Sequence, residues 1–262
     1  MQICCCVSKL MAVTAGYQVF NLGYSKFANQ ASSCKIPSRL GMLLLYAPPM
    51  LVFPLGYAVS GYGTPALPGT HTTWHLVLGA LVTAHFFKRV MEVLFLHKFS
   101  GSTNVFSCIL IIGLYMTLAV LLYVIASYRL ASPADIQYAT AHGWSPKVPI
   151  GVLIFAAGQL ANLYHHWLLA TLRKPGDRSY KVPRGGAFSL VCCPHYTSEL
   201  VSWMGVALVT SHFAAYVMVF TMACYLSGRA RSTLIWYEEK ARLEKLDRPL
   251  PSGWKRILPF VY

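Results

Sequence analysis

The chain has 262 residues, 56% hydrophobic and only 11% charged, with a mean hydropathy of +0.50, whereas a soluble globular domain is about a quarter charged. Sixteen Tyr, thirteen Phe and six Trp exclude a disordered polar chain. The net charge is +14, from 22 Lys and Arg against 8 Asp and Glu; no helix-turn-helix, zinc-finger or RNA-binding motif accompanies it, so a nucleic-acid partner is not expected.

The apolar residues come in long runs rather than in alternation, which predicts spanning α-helices and not a transmembrane barrel. Runs of spanning length fall near residues 3–22, 40–60, 74–96, 105–128, 149–170 and 196–227. The first is weak and lacks a basic flank and a clear cleavage site, so it is not read as a signal peptide. The last exceeds one bilayer crossing. The basic stretches Arg173 to Arg184 and Arg229 to Arg256 flank it on both sides, and both are expected on the cytosolic face. An even number of crossings must lie between them, so the run is split near Ser211-His212. Counting back places 129–148 in the lumen, His97 to Asn104 in the cytosol and the loop 61–73, which has no Lys or Arg, in the lumen. The expectation is an all-α, polytopic membrane protein of about seven helices, forming a single domain over residues 1–262, with 1–23 the least certain helix.

Polar residues inside these helices carry the functional signal, because ionisable groups in hydrocarbon are costly. His85, Lys88, Arg89 and Glu92 stand at i, i+3, i+4 and i+7 on the third helix and so share a face. Two readings are open: Lys88 pairs with Glu92 while Arg89 reaches the cytosolic surface, or the stripe lines a site for an anionic ligand. On the fifth helix Gln159, Asn162 and His166 repeat the pattern, and Arg173 follows. The loop from Arg173 to Gly186 mixes cationic donors with turn-forming Pro and Gly, a composition that suits phosphate groups. In Cys193-Pro194-His195-Tyr196-Thr197-Ser198-Glu199, Pro194 can start a helix that sets Tyr196, Glu199 and Trp203 on one face. Glu199 either caps that helix and neutralises an Arg or accepts hydrogen bonds from a ligand. Arg229, Thr233 and Tyr237 are spaced by four on the last helix.

The eight cysteines include a Cys4-Cys5-Cys6 cluster and a Cys192-Cys193 pair, which is not a secreted disulfide pattern. Cys192, Cys193, His195, His165 and His166 lack the spacing of a zinc site, so no metal is expected. The N-terminal thiols read either as acylation sites or as small buried hydrophobes.

Four blocks in fixed order carry a resemblance: Leu172-Arg173-Lys174-Pro175-Gly176; Tyr180-Lys181-Val182-Pro183 with Gly185-Gly186 and Phe188; Cys-Pro-x-Tyr-x-x-Glu at 193–199; and Leu258-Pro259-Phe260-Val261-Tyr262. Together they resemble the steroid 5-alpha-reductase family over roughly residues 24 to 262. The stretch His85 to Ser100 is most similar to its trans-2-enoyl-CoA reductase branch and related plant members. The resemblance implies a multi-pass endoplasmic reticulum enzyme that binds NADPH inside the bundle near the cytosolic face and reduces a carbon-carbon double bond conjugated to a carbonyl. The substrate would be a lipid (an enoyl-CoA, an enone sterol or an isoprenoid), with association with other lipid-synthesis enzymes expected and residues 110–262 as the family's C-terminal reductase region.

Carried over by position, the resemblance implies cofactor contacts from Asn162, Arg173, Ser179, Tyr180, Glu199, Arg229 and Tyr237. His166 stands where the family has Asp, His195 where it has Asn, and Thr233 where it has His. The steroid branch grips its substrate's keto oxygen with a Glu and a Tyr; the matching positions hold Tyr46 and Phe86. Some donor must stabilise the enolate oxygen, and Tyr196, Lys88 and Tyr46 are the candidates. Tyr196 is favoured, since the enoyl-CoA branch uses the Tyr of this block. The alternatives are an S-adenosylmethionine-dependent membrane methyltransferase, similar to isoprenylcysteine carboxyl methyltransferases through a Pro-x-Tyr block, and a catalytically degenerate lipid-binding bundle.

Overall fold

The computed structural model describes residues 34–60, 71–99, 101–127, 145–172, 181–243 and 246–257, and isolated positions 134, 137, 141 and 142. The expected helix 3–22, the Cys4-Cys5-Cys6 cluster and the Leu258 to Tyr262 ending lie outside these residues. The order of elements is β1 (Lys35–Pro37), α1 (Ser38–Met50), α2 (Val52–Ser60), α3 (His71–Met91), a π-helical turn (Glu92–Leu96), β2 (Ser102–Asn104), α4 (Val105–Ser127), α5 (Lys147–Thr171), a 3-10 turn (Gly186–Ser189), α6 (Pro194–Thr210) and α7 (Phe213–Arg242).

Four stretches among the described residues are long and apolar enough to cross a membrane: Ser38–Val59, Val105–Ser127, Lys147–Thr171 and Phe213–Arg242. They leave large side chains uncovered, among them Phe106, Leu153, Leu160 and Phe213. In water so much apolar surface would be a liability, whereas in lipid it is the favourable boundary.

Local sequence explains the breaks. Pro48 and Pro49 sit inside the first span; each lacks the donor a helix needs and crowds the preceding turn, and the chain interrupts at Leu51 between α1 and α2. Between α6 and α7 the chain breaks at Ser211, with φ of 52°, and at His212, the point where charge parity required a split. His212 then starts α7, its Nδ1 accepting from the Ala214 N–H at 3.2 Å. Asn104 caps α4, its Oδ1 accepting from the Ser107 N–H at 3.1 Å.

The described residues fall into two compact units, one drawn from Leu22–Ala156 and Ser202–Val219, the other from Ala157–Val201 and Phe220–Tyr262. In the first, α1 packs on α3 and α4. Its core includes Leu45, Phe53, Leu78, Val82, Phe86 and Leu122. A short antiparallel ribbon, with Ile36 opposite Thr103, ties the start of α1 to the start of α4. Gly151 of α5 and Gly205 of α6 let two backbones touch: a Cβ on Gly205 would lie 2.5 Å from the Gly151 carbonyl oxygen. The second unit has its own core of Val182, Cys192, Cys193, Ala230, Tyr237, Trp254 and Ile257.

Candidate functional site

The charged stripe on α3 lies in the first unit. Glu92 opens the π-helical turn, whose wider ring is closed by the His97 N–H donating to the Glu92 carbonyl at 2.8 Å. The Glu92 side chain is 2% exposed and draws in three cationic or ionisable groups. Lys88 Nζ lies 3.2 Å from Oε1, Arg89 Nη1 donates to Oε2, and His97 Nε2 stands 3.9 Å from Oε2. The expected Lys88 to Glu92 pair is therefore present. Arg89, expected on the same reading to reach the cytosolic surface, instead turns inward: its Nη2 donates to the Tyr46 hydroxyl at 2.9 Å, and its guanidinium carbon lies 4.8 Å from the centroid of the Tyr46 ring.

Behind Tyr46 the aromatic packing continues. Tyr115 stacks on it at 5.7 Å, Phe86 meets Tyr115 edge-on at 5.8 Å, and His85 lies 4.7 Å from Trp203. Of the proposed catalytic trio, Tyr46 and Lys88 thus join one network through Arg89 and Glu92.

In the second unit α5, α6 and α7 supply the other predicted residues. Asn162 and His166 are buried on α5. The Asn162 Nδ2 donates to the His195 carbonyl at 2.8 Å, and the His166 and His195 rings lie 5.4 Å apart. Pro194 is the first residue of α6, as its fixed φ and missing donor favour. His195, Tyr196 and Glu199 follow half-buried on its first turns. Tyr196 lies 4.3 Å from the His195 ring and packs against the Val182, Cys192 and Trp254 core. Arg229, Thr233 and Tyr237 are all buried, so their four-residue spacing does place one face of α7 inward. Arg173, Ser179 and Tyr180 lie outside the described residues.

The turn after Lys181 is built by glycine and by His165. Gly185 and Gly186 have φ of 88° and 50°, which L side chains rarely adopt. His165 Nδ1 donates to the Ala161 carbonyl at 2.7 Å, and its Nε2 accepts from the Ala187 N–H at 3.2 Å. Both ring nitrogens therefore serve the backbone. Cys192 and Cys193 are reduced thiols packed in the core, with the Cys193 Sγ donating to the Cys192 Sγ at 3.9 Å.

A tail segment that the sequence marked only as basic completes this unit. Trp254 Nε1 donates to the Phe188 carbonyl at 2.8 Å, and the N–H groups of Cys192 and Cys193 donate to the carbonyls of Lys255 and Arg256 at 2.7 and 3.0 Å. Asp247 accepts from the Val182 N–H at 2.9 Å. Burial alone would push the Asp247 carboxyl up, but this N–H, the hydrogen bond and charge of Arg248 and the charge of Lys181 hold it below its ordinary value.

The second unit holds a buried cation suited to an anionic group. Arg229 is a buried guanidinium, only 5% exposed, of the kind that matches phosphate or carboxylate bidentately. Beside it in sequence stand Thr233 and Tyr237, whose side chains are also buried.

The sequence profile of the 3-oxo-5-alpha-steroid 4-dehydrogenase family matches residues 105–262. The chain belongs to this family. It is 28% identical to 3-oxo-5-alpha-steroid 4-dehydrogenase 1 of Macaca fascicularis, over 96% of this chain and 89% of that protein. Steroid 5-alpha-reductase DET2 of Gossypium hirsutum is 38% identical over 43% of this chain and 42% of its own length. Very-long-chain enoyl-CoA reductase of Dictyostelium discoideum is 28% identical over 82% of this chain and 67% of its own. The relatives thus include both branches to which the motifs pointed.

Proposed function

We propose that the chain is an NADPH-dependent reductase of a carbon-carbon double bond conjugated to a carbonyl in a lipid, an enoyl thioester or an enone of sterol or isoprenoid type. The observation that carries this reading is the match to 3-oxo-5-alpha-steroid 4-dehydrogenases along nearly the whole chain, joined to the buried Arg229, Thr233 and Tyr237 face. When bound, the cofactor supplies hydride to the β-carbon of the substrate.

The residues of this chain do the rest. Arg229 binds phosphate or carboxylate oxygens, with Thr233, Tyr237, Glu199, His166 and His195 as further partners and Arg173, Ser179 and Tyr180 as contacts from the Arg173 to Gly186 loop. Asn162 holds the His195 backbone and thereby sets where α6 begins. Tyr46 donates a hydrogen bond to the carbonyl oxygen, on which enolate charge develops; a preorganised donor at that point stabilises the transition state more than the ground state. Tyr196 gives the proton to the α-carbon. Lys88 balances the Glu92 carboxylate in the same network as Tyr46.

The same reading puts the protein in the endoplasmic reticulum membrane with the cofactor site near the cytosolic face. α3 and α6 cross in addition to the four stretches above, and the seventh expected crossing, 3–22, lies outside the described residues.

Microsomes containing the chain, incubated with NADPH and a panel of enoyl-CoAs, enone sterols and polyprenals, should show one class gaining two hydrogens by lipid mass spectrometry. NADPH should also protect the purified protein thermally where S-adenosylmethionine does not. Protection by S-adenosylmethionine alone would point to a methyltransferase. Protection by neither, with no reduction, would leave a degenerate lipid-binding bundle.

A further inference from the structure

We propose that Glu92 is a positioning residue for Tyr46, acting through Arg89 so that the Tyr46 hydroxyl proton is directed at the substrate carbonyl. The inference deepens the reductase reading above and rests on it for the identity of the ligand.

A buried carboxylate is expensive unless it is fully compensated, and in hydrocarbon more so. Glu92 is nonetheless 2% exposed, and it lies at the one π-helical turn among the described residues. A widened turn of this kind is uncommon and occurs frequently at functional sites. Its effect here is specific. The carboxylate lies back over the preceding turn, where Oε1 takes Lys88 and Oε2 takes Arg89, while His97, which closes the turn, stands beyond.

Arg89 joins the two side chains. One terminal nitrogen, Nη1, is held by Glu92, and the other, Nη2, reaches 2.9 Å to the Tyr46 oxygen. A guanidinium has donors only, so Tyr46 must be the acceptor in this bond. Its own O–H proton is therefore turned away from Arg89. A planar guanidinium fixed at one edge has its other edge fixed too, so the carboxylate on α3 determines where a hydroxyl on α1 sits. Tyr115 stacked at 5.7 Å holds the ring from another side. If the stripe existed to bind an anion, Glu92 would work against it by neutralising one of its two permanent cations. As a holder of Arg89, Glu92 needs no further explanation.

The test is a double-mutant cycle on the purified full chain with NADPH and the lipid class that the panel identifies. Y46F and E92Q should each lower kcat about ten- to a hundredfold, with the NADPH dissociation constant unchanged. Because Glu92 acts through Tyr46, the Y46F/E92Q double variant should be no slower than Y46F alone. E92D, which keeps the charge, should recover part of the loss. Full multiplication of the two effects would overturn the proposal.

A second readout is independent of turnover. The tyrosine ring doublet in ultraviolet resonance Raman, taken as the difference between wild type and Y46F, reports whether the Tyr46 oxygen accepts a strong hydrogen bond. E92Q should weaken that acceptor signature, and an unchanged signature overturns the proposal. If E92Q does not fold, R89Q carries the same measurement from the other side of the ion pair. A wild type that shows the signature and its loss in E92Q, yet reduces no lipid, would sink the reductase reading and leave the positioning intact.

Discussion

The His165 imidazole accepts the Ala187 N–H through Nε2 while its Nδ1 donates one turn back to the Ala161 carbonyl. The neutral ring with its proton on Nδ1 makes this pattern, and it pins the glycine turn of the second unit to the side of α5. The turn in turn carries Phe188, which is fully buried and meets the His165 ring at 5.5 Å.

Gly186→Ala tests how tightly that turn is built. A Cβ there would lie 2.8 Å from Tyr164 and 2.9 Å from His165 Nε2, at a φ of 50°. Left-handed backbone for a residue with a side chain costs about 1–3 kcal/mol, and the contact with His165 adds to it. A melting temperature lower by several degrees, with a weaker NADPH affinity, is the expected result. An unchanged melt would show that the turn yields freely.

Asp247 provides a pH test outside the membrane-spanning segments. Its folded carboxyl titrates below the ordinary 3.8, so its contribution is complete above that value and is lost as pH falls through the lower, folded one. Asp247→Asn keeps an oxygen for the Val182 N–H but loses the charge. The stability gap between wild type and variant should be about 1 kcal/mol or less, as for exposed ion pairs. It should stay constant above about pH 5 and close as pH falls below about 4, in thermal melts at a series of pH values. A gap that widens in acid contradicts the assignment.

Arg229→Lys addresses the cofactor. Lysine keeps the charge but not the planar fork. Since hydrogen bonds between charged groups contribute about 1.5–3 kcal/mol, loss of one should raise the NADPH dissociation constant on the order of tenfold. Equilibrium binding by fluorescence, with the melt as a control for folding, decides it. Unaltered affinity would remove Arg229 from the cofactor site.

The elements that could be read in the sequence are those with a local signature. The stripe of His85, Lys88, Arg89 and Glu92 follows from helical spacing, and so does its internal pairing. The break at Ser211-His212 follows from counting crossings between two basic segments. The ribbon of β1 with β2 was not legible, because three-residue strands carry no period. Nor was the bond from Arg89 to Tyr46, which joins residues 43 apart in sequence. The tail from Asp247 to Ile257 is held largely through backbone groups, which every sequence offers alike. In the sequence His165 is only one ring among several, and its use of both nitrogens for the backbone depends on a turn folded against it.

The topology makes a prediction that needs no purified protein. Glycosylation acceptors engineered into 61–73, into the Arg173 to Arg184 loop and into the tail should be modified in the first alone, because basic segments stay in the cytosol. Modification of the tail with none in 61–73 inverts the arrangement.

Tyr196→Phe bears on the proton donor. The Tyr196 ring lies against His195 and against the core formed by Val182, Cys192 and Trp254, and phenylalanine preserves those contacts. The change removes only a hydroxyl, so the fold and NADPH binding should survive. If that hydroxyl delivers the proton to the α-carbon, turnover should fall by about a hundred- to ten-thousandfold, the usual loss for a general acid. Steady-state rates on the identified lipid, set beside those of Tyr46→Phe, separate the two hydroxyls. Loss of turnover in both variants fits a divided task, with Tyr46 holding the oxygen and Tyr196 supplying the proton. Wild-type rates in Tyr196→Phe together with a dead Tyr46→Phe would move the whole acid-base role to α1 and leave Tyr196 as a packing residue beneath the tail.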